Sequence, residues 1–175
     1  MSRYGVLGLA SLALSSCGAD ETLIEFDPLV VASGWRAAEL SQDRLSGHQP
    51  EQVFCPDSGW REEDGSLEVN TGQCNYLSVE QKLMVGAVRG EMIVVNLWHQ
   101  PLHADSLGRA HVALLLSDGV LWEREAVIPG PGAVWRDELP APRDLRAGES
   151  LVFHLHNHGA NSWNLGDVVL SRGKR

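Results

Sequence analysis

The sequence predicts an all-β fold, namely an antiparallel β-sandwich of about eight strands with a jelly-roll-like arrangement and one disulfide bond. Three observations lead to this prediction. After about residue 52, short β-type runs alternate with turn signals rich in glycine, proline and aspartate. No long amphipathic helix is visible after residue 50, and two cysteines, Cys55 and Cys74, lie in the predicted β region.

The candidate strands follow one another at the close spacing that is typical of sandwiches. They are Ser66–Asn70, Leu83–Val88, Met92–Trp98, Ala110–Ser117, Val120–Ile128, Ala133–Arg136, Ser150–Asn157 and Trp163–Ser171. The best hairpin signal is Ser117-Asp118-Gly119, because Asp-Gly tolerates the positive φ angles of a two-residue turn. No repeat of fixed period is present, and strand order does not follow from one sequence.

The N-terminus has the layout of an export signal. One positive charge, Arg3, precedes the apolar run 5–14, which is shorter than the roughly 20 residues of a bilayer-spanning helix. The run ends in Leu14-Ser15-Ser16-Cys17, which resembles the lipobox of bacterial lipoproteins. That resemblance implies cleavage before Cys17, fatty acids such as palmitate on this residue, and stable membrane attachment. An ordinary secretory signal with a chance cysteine is the alternative.

These patterns divide the chain into three parts. Residues 1–16 are predicted to be a lipoprotein signal peptide, and residues 17–50 a lipidated N-terminus and tether with an uncertain first element. A short helix is expected around Trp35–Leu40, and residues 51–175 are predicted to form the sandwich domain. In the lipoprotein family, Asp directly after the lipidated cysteine retains the protein at the inner membrane. Gly18 stands there, so the resemblance implies the outer membrane.

Charge and cysteine content narrow the functions further. Removal of residues 1–16 takes away Arg3 and no acidic residue, which leaves 13 Lys+Arg against 23 Asp+Glu, a formal charge of −10. An acidic domain lacks the electrostatic footprint of a nucleic-acid-binding protein, so nucleic acid is not expected as a partner. In an exported protein, Cys55 and Cys74 are expected to pair, which stabilises the fold by roughly 3 kcal/mol. Metal binding by these two thiols would require closer spacing.

The C-terminal strands carry a second resemblance. Residues 145–153 (Leu-Arg-Ala-Gly-Glu-Ser-Leu-Val-Phe), 154–159 (His-Leu-His-Asn-His-Gly), 162–165 (Ser-Trp-Asn-Leu) and 168–170 (Val-Val-Leu) resemble bacterial galactose-binding-like and carbohydrate-binding modules. The resemblance implies sugar binding by exposed aromatic side chains and polar loops. The candidate ligand-binding residues are Trp98, Trp163, Asn157 and Asn161. Alternation in Met92–His99 favours an outward Trp98, whereas Trp122 is expected to be buried.

Histidines give a different hypothesis. In Ser150–Asn157, Leu151, Phe153, Leu155 and Asn157 share one face and are predicted to be core, which leaves His154, His156 and His158 on the opposite side. Successive side chains on one face stand about 6.5 to 7 Å apart, so two imidazoles can converge on one zinc or copper ion. His99, His103 and His111 are the candidates to complete such a site. Histidines of a half-polar surface are the alternative, because no complete cupin or blue-copper motif is present.

Motifs of common enzymes are absent from the sequence. It contains no Gly-x-Ser-x-Gly elbow, phosphate-binding glycine loop or His-Glu-x-x-His helix, and it therefore does not predict an enzyme or a firm cofactor. The leading hypothesis is a lipid-anchored sandwich that binds a ligand, with carbohydrate as the first ligand class. A zinc- or copper-binding domain is the first alternative, and a non-catalytic scaffold that contacts an envelope protein is the second.

Overall fold

A computed structural model describes residues 24–39 and 43–173, so Cys17 and the segment before it lie outside the described residues. The strands are β1 (Ile24–Pro28), β2 (Arg36–Ala37), β3 (Trp60–Glu63), β4 (Ser66–Asn70), β5 (Tyr76–Lys82), β6 (Met92–His99), β7 (Gly108–Leu116), β8 (Gly119–Ile128), β9 (Ala133–Pro140), β10 (Ser150–Asn157) and β11 (Ser162–Gly173). Within these residues, three short 3-10 helices span Ala32–Gly34, Ser46–His48 and Asp57–Gly59. None of the helices described is long and apolar enough to cross a membrane.

The strands form two antiparallel sheets. Sheet 1 has the order β3-β4-β11-β6-β9, with β1 also paired to β11, and sheet 2 has the order β2-β5-β10-β7-β8. Between β4 and β11 the chain alternates between the sheets, except where β7 and β8 form a hairpin within sheet 2. This order of the eight strands β4 to β11 is that of a jelly roll, and the predicted antiparallel β-sandwich is confirmed.

Alternation along the strands places one face of each sheet in the core. Leu151, Phe153 and Leu155 of β10 are completely buried between the sheets, as predicted. The inner face of β6 is also apolar, and Trp122 of β8 is 7% exposed, in agreement with its predicted burial. Because side chains of a strand alternate, the outer faces of β10 and β6 carry the residues that remain available for other roles.

The sandwich includes a strand, β1, that precedes the predicted domain start at residue 51. Strand β1 pairs with β11, and Leu29 after it is completely buried. The expected helix around Trp35–Leu40 is wrong for the described residues 35–39. Trp35 packs against Phe153, with ring centroids 6.3 Å apart, and the next two residues pair with β5. Pairing with a sheet edge and burial of the tryptophan outweigh local helix propensity here.

Other predicted strands are shifted or misplaced. The apolar run Leu83–Val88 is not a strand; Leu83 and Ala87 instead bury their side chains from a connecting loop. The strand of this region is β5, which sequence reasoning missed because polar residues alternate through it. One of them, Gln81, is 4% exposed because its amide bonds to the backbone of Val31 in both directions, at 3.1 and 3.0 Å.

A disulfide bond and a group of side-chain hydrogen bonds cross-link the sandwich at its periphery. The predicted disulfide is confirmed, and it joins Cys55, which precedes β3, to Cys74 in the loop between β4 and β5. At the other side, Asp137 of the edge strand β9 accepts hydrogen bonds from Trp122 and Arg124 of the edge strand β8. This second link connects one sheet to the other, because β8 and β9 belong to different sheets.

Candidate functional site

A chain segment, residues 43–50, lies over the outer face of sheet 2. Leu45 packs against Ala113, Leu115 and Val152, which point outward from β7 and β10 and would otherwise be exposed. The 3-10 helix Ser46–His48 follows directly after Leu45. This apolar contact fixes the position of the polar groups on both sides of Leu45.

Asp43 is the polar anchor of this segment. Its carboxylate is 3% exposed and accepts hydrogen bonds from the Tyr76 hydroxyl and from the backbone N–H of Leu45, the latter at 2.8 Å. Its Oδ2 also lies 3.3 Å from Nδ1 of His154. Burial acts to raise the pKa of Asp43, but the hydrogen bonds from His154 and Tyr76 outweigh it and the net pKa is lowered. The anchor is therefore a buried carboxylate whose charge is balanced by donors.

Three imidazoles meet beside this anchor, and we call His48, His111 and His154 the histidine cluster. One ring nitrogen of each lies within 4.8 Å of the others. The ring centroids are 5.1 Å apart for His48 and His111, 6.0 Å for His48 and His154, and 5.6 Å for His111 and His154. The burial is graded: His154 is completely buried, His111 is half-buried and His48 is exposed.

The cluster differs from the site that the sequence predicted. His154 and His111 belong to it, whereas His48 was missed because it lies in a loop with no periodic pattern. His156 stands beside the cluster, opposite His111 in register, and its ring faces Tyr76 and His158. Burial lowers the pKa of His156 to about 4, and the neighbouring histidines add to the effect. His158 is exposed at the end of the strand.

His99 and His103 do not join the cluster. His99 is 5% exposed and points into the core of the sandwich, where its ring packs between Trp135 and Trp163. It belongs to the inner face of sheet 1, and the cluster lies on the outer face of sheet 2. His103 and His158 instead line an open cleft of about 880 Å³ at one end of the sandwich.

A second surface lies on the opposite side of the molecule, and we call its residues Phe26, Asn96, Trp98, Arg136 and Asp167 the Trp98 face. The Arg136 guanidinium stands over the Phe26 ring, with its Cζ 5.8 Å from the centroid, and donates to Asn96 Oδ1 at 3.5 Å. Asn96 in turn donates to Asp167 Oδ2 at 3.3 Å. Trp98 is half-buried on the same outer face of β6.

The Trp98 ring occupies the space that a side chain at residue 166 would otherwise fill. A Cβ at Gly166 would lie 2.7 Å from Cζ3 of Trp98, so only glycine leaves room for the ring in this position. Gly166 lies in the irregularity of β11 between Leu165 and Val168. The ring therefore lies against the sheet and turns its other side towards solvent.

The other three predicted ligand-binding residues have structural roles. Trp163 is completely buried, so it is not the exposed platform that was expected, and its Nε1 donates to Asn157 Oδ1 at 3.2 Å. Asn157 is itself 2% exposed, since it faces the core at the end of β10. Asn161 supports a turn: it donates to the Pro101 carbonyl at 2.6 Å and accepts from the backbone of Ser162 at 2.9 Å.

Comparison with known proteins gave no match to a family model and no match among curated proteins. Similar solved structures include a CBM4 (16% identity, TM-score 0.43, covering 83% of this chain and 95% of that one). Another is the K3 cleaved adhesin domain of Lys-gingipain from Porphyromonas gingivalis (12%, 0.46, 85% and 100%). A third is a variant of a family 29 carbohydrate-binding module (14%, 0.44, 86% and 94%).

Proposed function

We propose that this chain is an exported, lipid-anchored binding protein whose sandwich binds a carbohydrate on the Trp98 face. The observation that carries the proposal is the half-exposed Trp98 ring beside a row of planar polar side chains, Arg136, Asn96 and Asp167. An aromatic ring packs against the C–H face of a sugar. The amide, guanidinium and carboxylate groups supply directed hydrogen bonds to its hydroxyls.

The chemistry of this face also favours a class of sugar. Its charged groups partly neutralise each other, and the whole chain carries a formal charge of −9. Such a charge repels polyanions at low ionic strength. We therefore expect a neutral glycan rather than a uronic-acid or sulfated polymer.

The test is a panel of neutral and acidic glycans, followed by calorimetry on the best ligand. Trp98→Ala should weaken binding by tenfold or more, because loss of a central aromatic anchor typically costs about 2 kcal/mol. Val134→Ala is the matched control, since Val134 is opposite Trp98 in register and 80% exposed but offers no ring. The proposal is wrong if no glycan binds, or if both variants bind as the unmodified chain does.

The lipid anchor is a separate part of the proposal and rests on the lipobox resemblance at Cys17. In a bacterial host, the chain should incorporate labelled palmitate and fractionate with the outer membrane. Cys17→Ser should lose the label. Labelling that persists in this variant, or its absence from the unmodified chain, would refute lipidation while leaving the binding face untouched.

A further inference from the structure

Buried polar atoms without a hydrogen-bond partner concentrate on the outer face of sheet 2. Within the described residues five side-chain atoms are of this kind, and four of them lie there: Ser78 Oγ, His111 Nδ1, His154 Nε2 and His156 Nε2. Ser78 is directly opposite His154, and His156 is directly opposite His111 in the strand register. Buried polar groups in native proteins are nearly always satisfied by protein, ordered water or a bound ion, and an ion between His111 and His154 would supply the interactions that their two nitrogens lack.

The partners of the two sheet histidines are carboxylates, and each carboxylate binds one of the two ring nitrogens. Nδ1 of His154 lies 3.3 Å from Asp43, and Nε2 of His111 lies 3.0 Å from Glu123. A carboxylate on one nitrogen holds the proton there and leaves a lone pair on the other. Metal-binding histidines are oriented in this way, with the second nitrogen on a carboxylate, carbonyl or water.

From this arrangement we infer that the histidine cluster binds one divalent transition-metal ion, zinc or copper, through Nε2 of His154, Nδ1 of His111 and a ring nitrogen of His48. Three neutral imidazoles form a donor set that suits these ions, whereas calcium and magnesium require oxygen ligands. The site is independent of the Trp98 face, which lies on the other sheet.

The distances are close to those that coordination requires. One ring nitrogen of each of the three histidines lies within 4.8 Å of the others, and two nitrogens on one tetrahedral zinc ion are about 3.3 Å apart. His48 is exposed and carried by a loop, whereas His111 and His154 are held by β7 and β10, so we expect His48 to make most of the movement that closes this difference. Metal binding should therefore draw His48 inward and leave the sheet unchanged.

The exposure of His48 also indicates how many ligands the proposed metal ion has. Sites with three protein ligands and one side open to solvent retain a position for water or a further ligand, whereas closed sites with four protein ligands are structural. The histidine cluster is open on the side of His48. We therefore expect a four-coordinate ion whose fourth position is exchangeable.

A purely structural role for the cluster is the competing explanation, and His99 shows what such a role is like in this protein. Its Nε2 also lacks a partner, but the ring is packed between two tryptophans and no second histidine is in contact with it. In the cluster, by contrast, three imidazoles face one another, and the His154 ring also packs edge-on against Tyr76, with centroids 5.1 Å apart. Within the described residues, His111 Nδ1 and His154 Nε2 have no hydrogen-bond partner.

The test is titration of the metal-free full chain with Zn²⁺ alone, by calorimetry and by competition with a chromophoric chelator. Every sample carries Cys17→Ser, because Cys17 is the one cysteine outside the disulfide and its thiol would compete for zinc. No polyhistidine tag is used. We expect one ion per chain at micromolar affinity or tighter, and a Co²⁺ absorption spectrum of tetrahedral type.

The variants separate the cluster from other histidines. His48→Ala should weaken zinc binding at least tenfold without affecting the fold, since this residue is exposed. Glu123→Gln should weaken it by about tenfold, the lower end of what loss of an outer carboxylate costs. His103→Ala is the matched control, an exposed histidine outside the cluster. Absence of binding, or equal loss in His48→Ala and His103→Ala, would overturn the inference.

Discussion

Replacement of Asp137 should weaken the sandwich at the edge where its two sheets are joined. Its Oδ2 accepts from Trp122 Nε1 and from Arg124 Nε, both at 2.8 Å, and its Oδ1 accepts from Arg124 Nη2 at 2.6 Å. Asp137→Asn keeps an acceptor for the tryptophan but removes the charge that binds the guanidinium. Asp137→Ala removes both.

The magnitudes follow from the exposure of each partner. The Arg124 side chain is 48% exposed and that of Asp137 21%, so the bidentate pair should contribute about 1 kcal/mol rather than the value of a buried one. Trp122 is 7% exposed, and an unsatisfied buried donor costs about 1 to 3 kcal/mol. We therefore expect a loss of about 1 kcal/mol in the free energy of unfolding for Asp137→Asn and about 3 kcal/mol for Asp137→Ala.

The contribution of Asp137 should also depend on pH. The hydrogen bond from Arg124 lowers the pKa of Asp137, against the opposing effect of burial, and the bond from Trp122 adds to the lowering. A carboxyl group with a lowered pKa in the folded state stabilises the protein above its unfolded pKa of about 3.9. This stabilisation is lost as the pH falls through the folded pKa. The difference between the unmodified chain and Asp137→Asn should accordingly shrink below about pH 4.

Urea unfolding, followed by circular dichroism without reductant, measures these differences. Glu125→Gln is the matched control, because Glu125 pairs with Arg109 at 3.0 Å but both side chains are more than half exposed. It should change stability by less than about 0.5 kcal/mol. If Asp137→Asn cost no more than Glu125→Gln, the link between the sheets would have no energetic role.

Three further changes test the rest of the fold. Serine at Cys55 and Cys74, which are 19 residues apart, should cost about 3 kcal/mol in urea unfolding, and added reductant should then have no further effect. Trp163→Phe should lower the free energy of unfolding by about 2 kcal/mol, because it leaves a cavity and removes the hydrogen-bond donor to Asn157. An unchanged free energy of unfolding would contradict the role of this ring in the core. Gly166→Ala should displace the Trp98 ring and shift its indole N–H resonance. The free energy of unfolding should change by less than about 1 kcal/mol, because the ring is half-exposed. An unchanged resonance would show that the position of the ring does not depend on the glycine.

Strand alternation was the most informative part of the sequence. It assigns both faces of β10 and β6, and it predicts an outward Trp98 and an inward Trp122, as the structure shows them. It worked because a side-chain period of two is fixed by the backbone and does not depend on distant residues. The hairpin of β7 and β8 was predicted for the same kind of reason, since turn chemistry is local.

Long-range features did not follow from the sequence in this way. The apolar run Leu83–Val88 has the composition of a strand, but the backbone there leaves the sheet and only its side chains are buried. Strand β5 is more polar, and it is a strand because β10 pairs along its whole length. Only the neighbouring strands distinguish an apolar loop from a polar strand here, and the local composition of a segment does not reveal its neighbours.

Strand alternation predicts the positions of the strand histidines but not that of His48, which lies in a loop. Alternation placed His154 on the outer face of β10 and grouped His99 with the apolar, inward residues of β6. An inward residue of one sheet and an outward residue of the other cannot share a site, so parity already argued against this pair. His48 had no such signal, because a loop residue is positioned by tertiary contacts, here the burial of Leu45 and the anchoring of Asp43.

The two outer faces differ in how their polar groups are satisfied, and this difference explains why we assign them different ligands. On the Trp98 face, Arg136, Asn96 and Asp167 bond to one another in contact with water, so the face is stable without a partner. On the histidine face, an imidazole as buried as His154 keeps one nitrogen unpaired, and such a group costs about 1 to 3 kcal/mol. An apolar side chain there would extend the contact that Leu45 already makes. If this surface served stability alone, an apolar side chain would be expected at the position of His154. The imidazoles are better explained by a ligand, because a ligand that binds only the folded state offsets the free energy lost by burying an unpaired nitrogen.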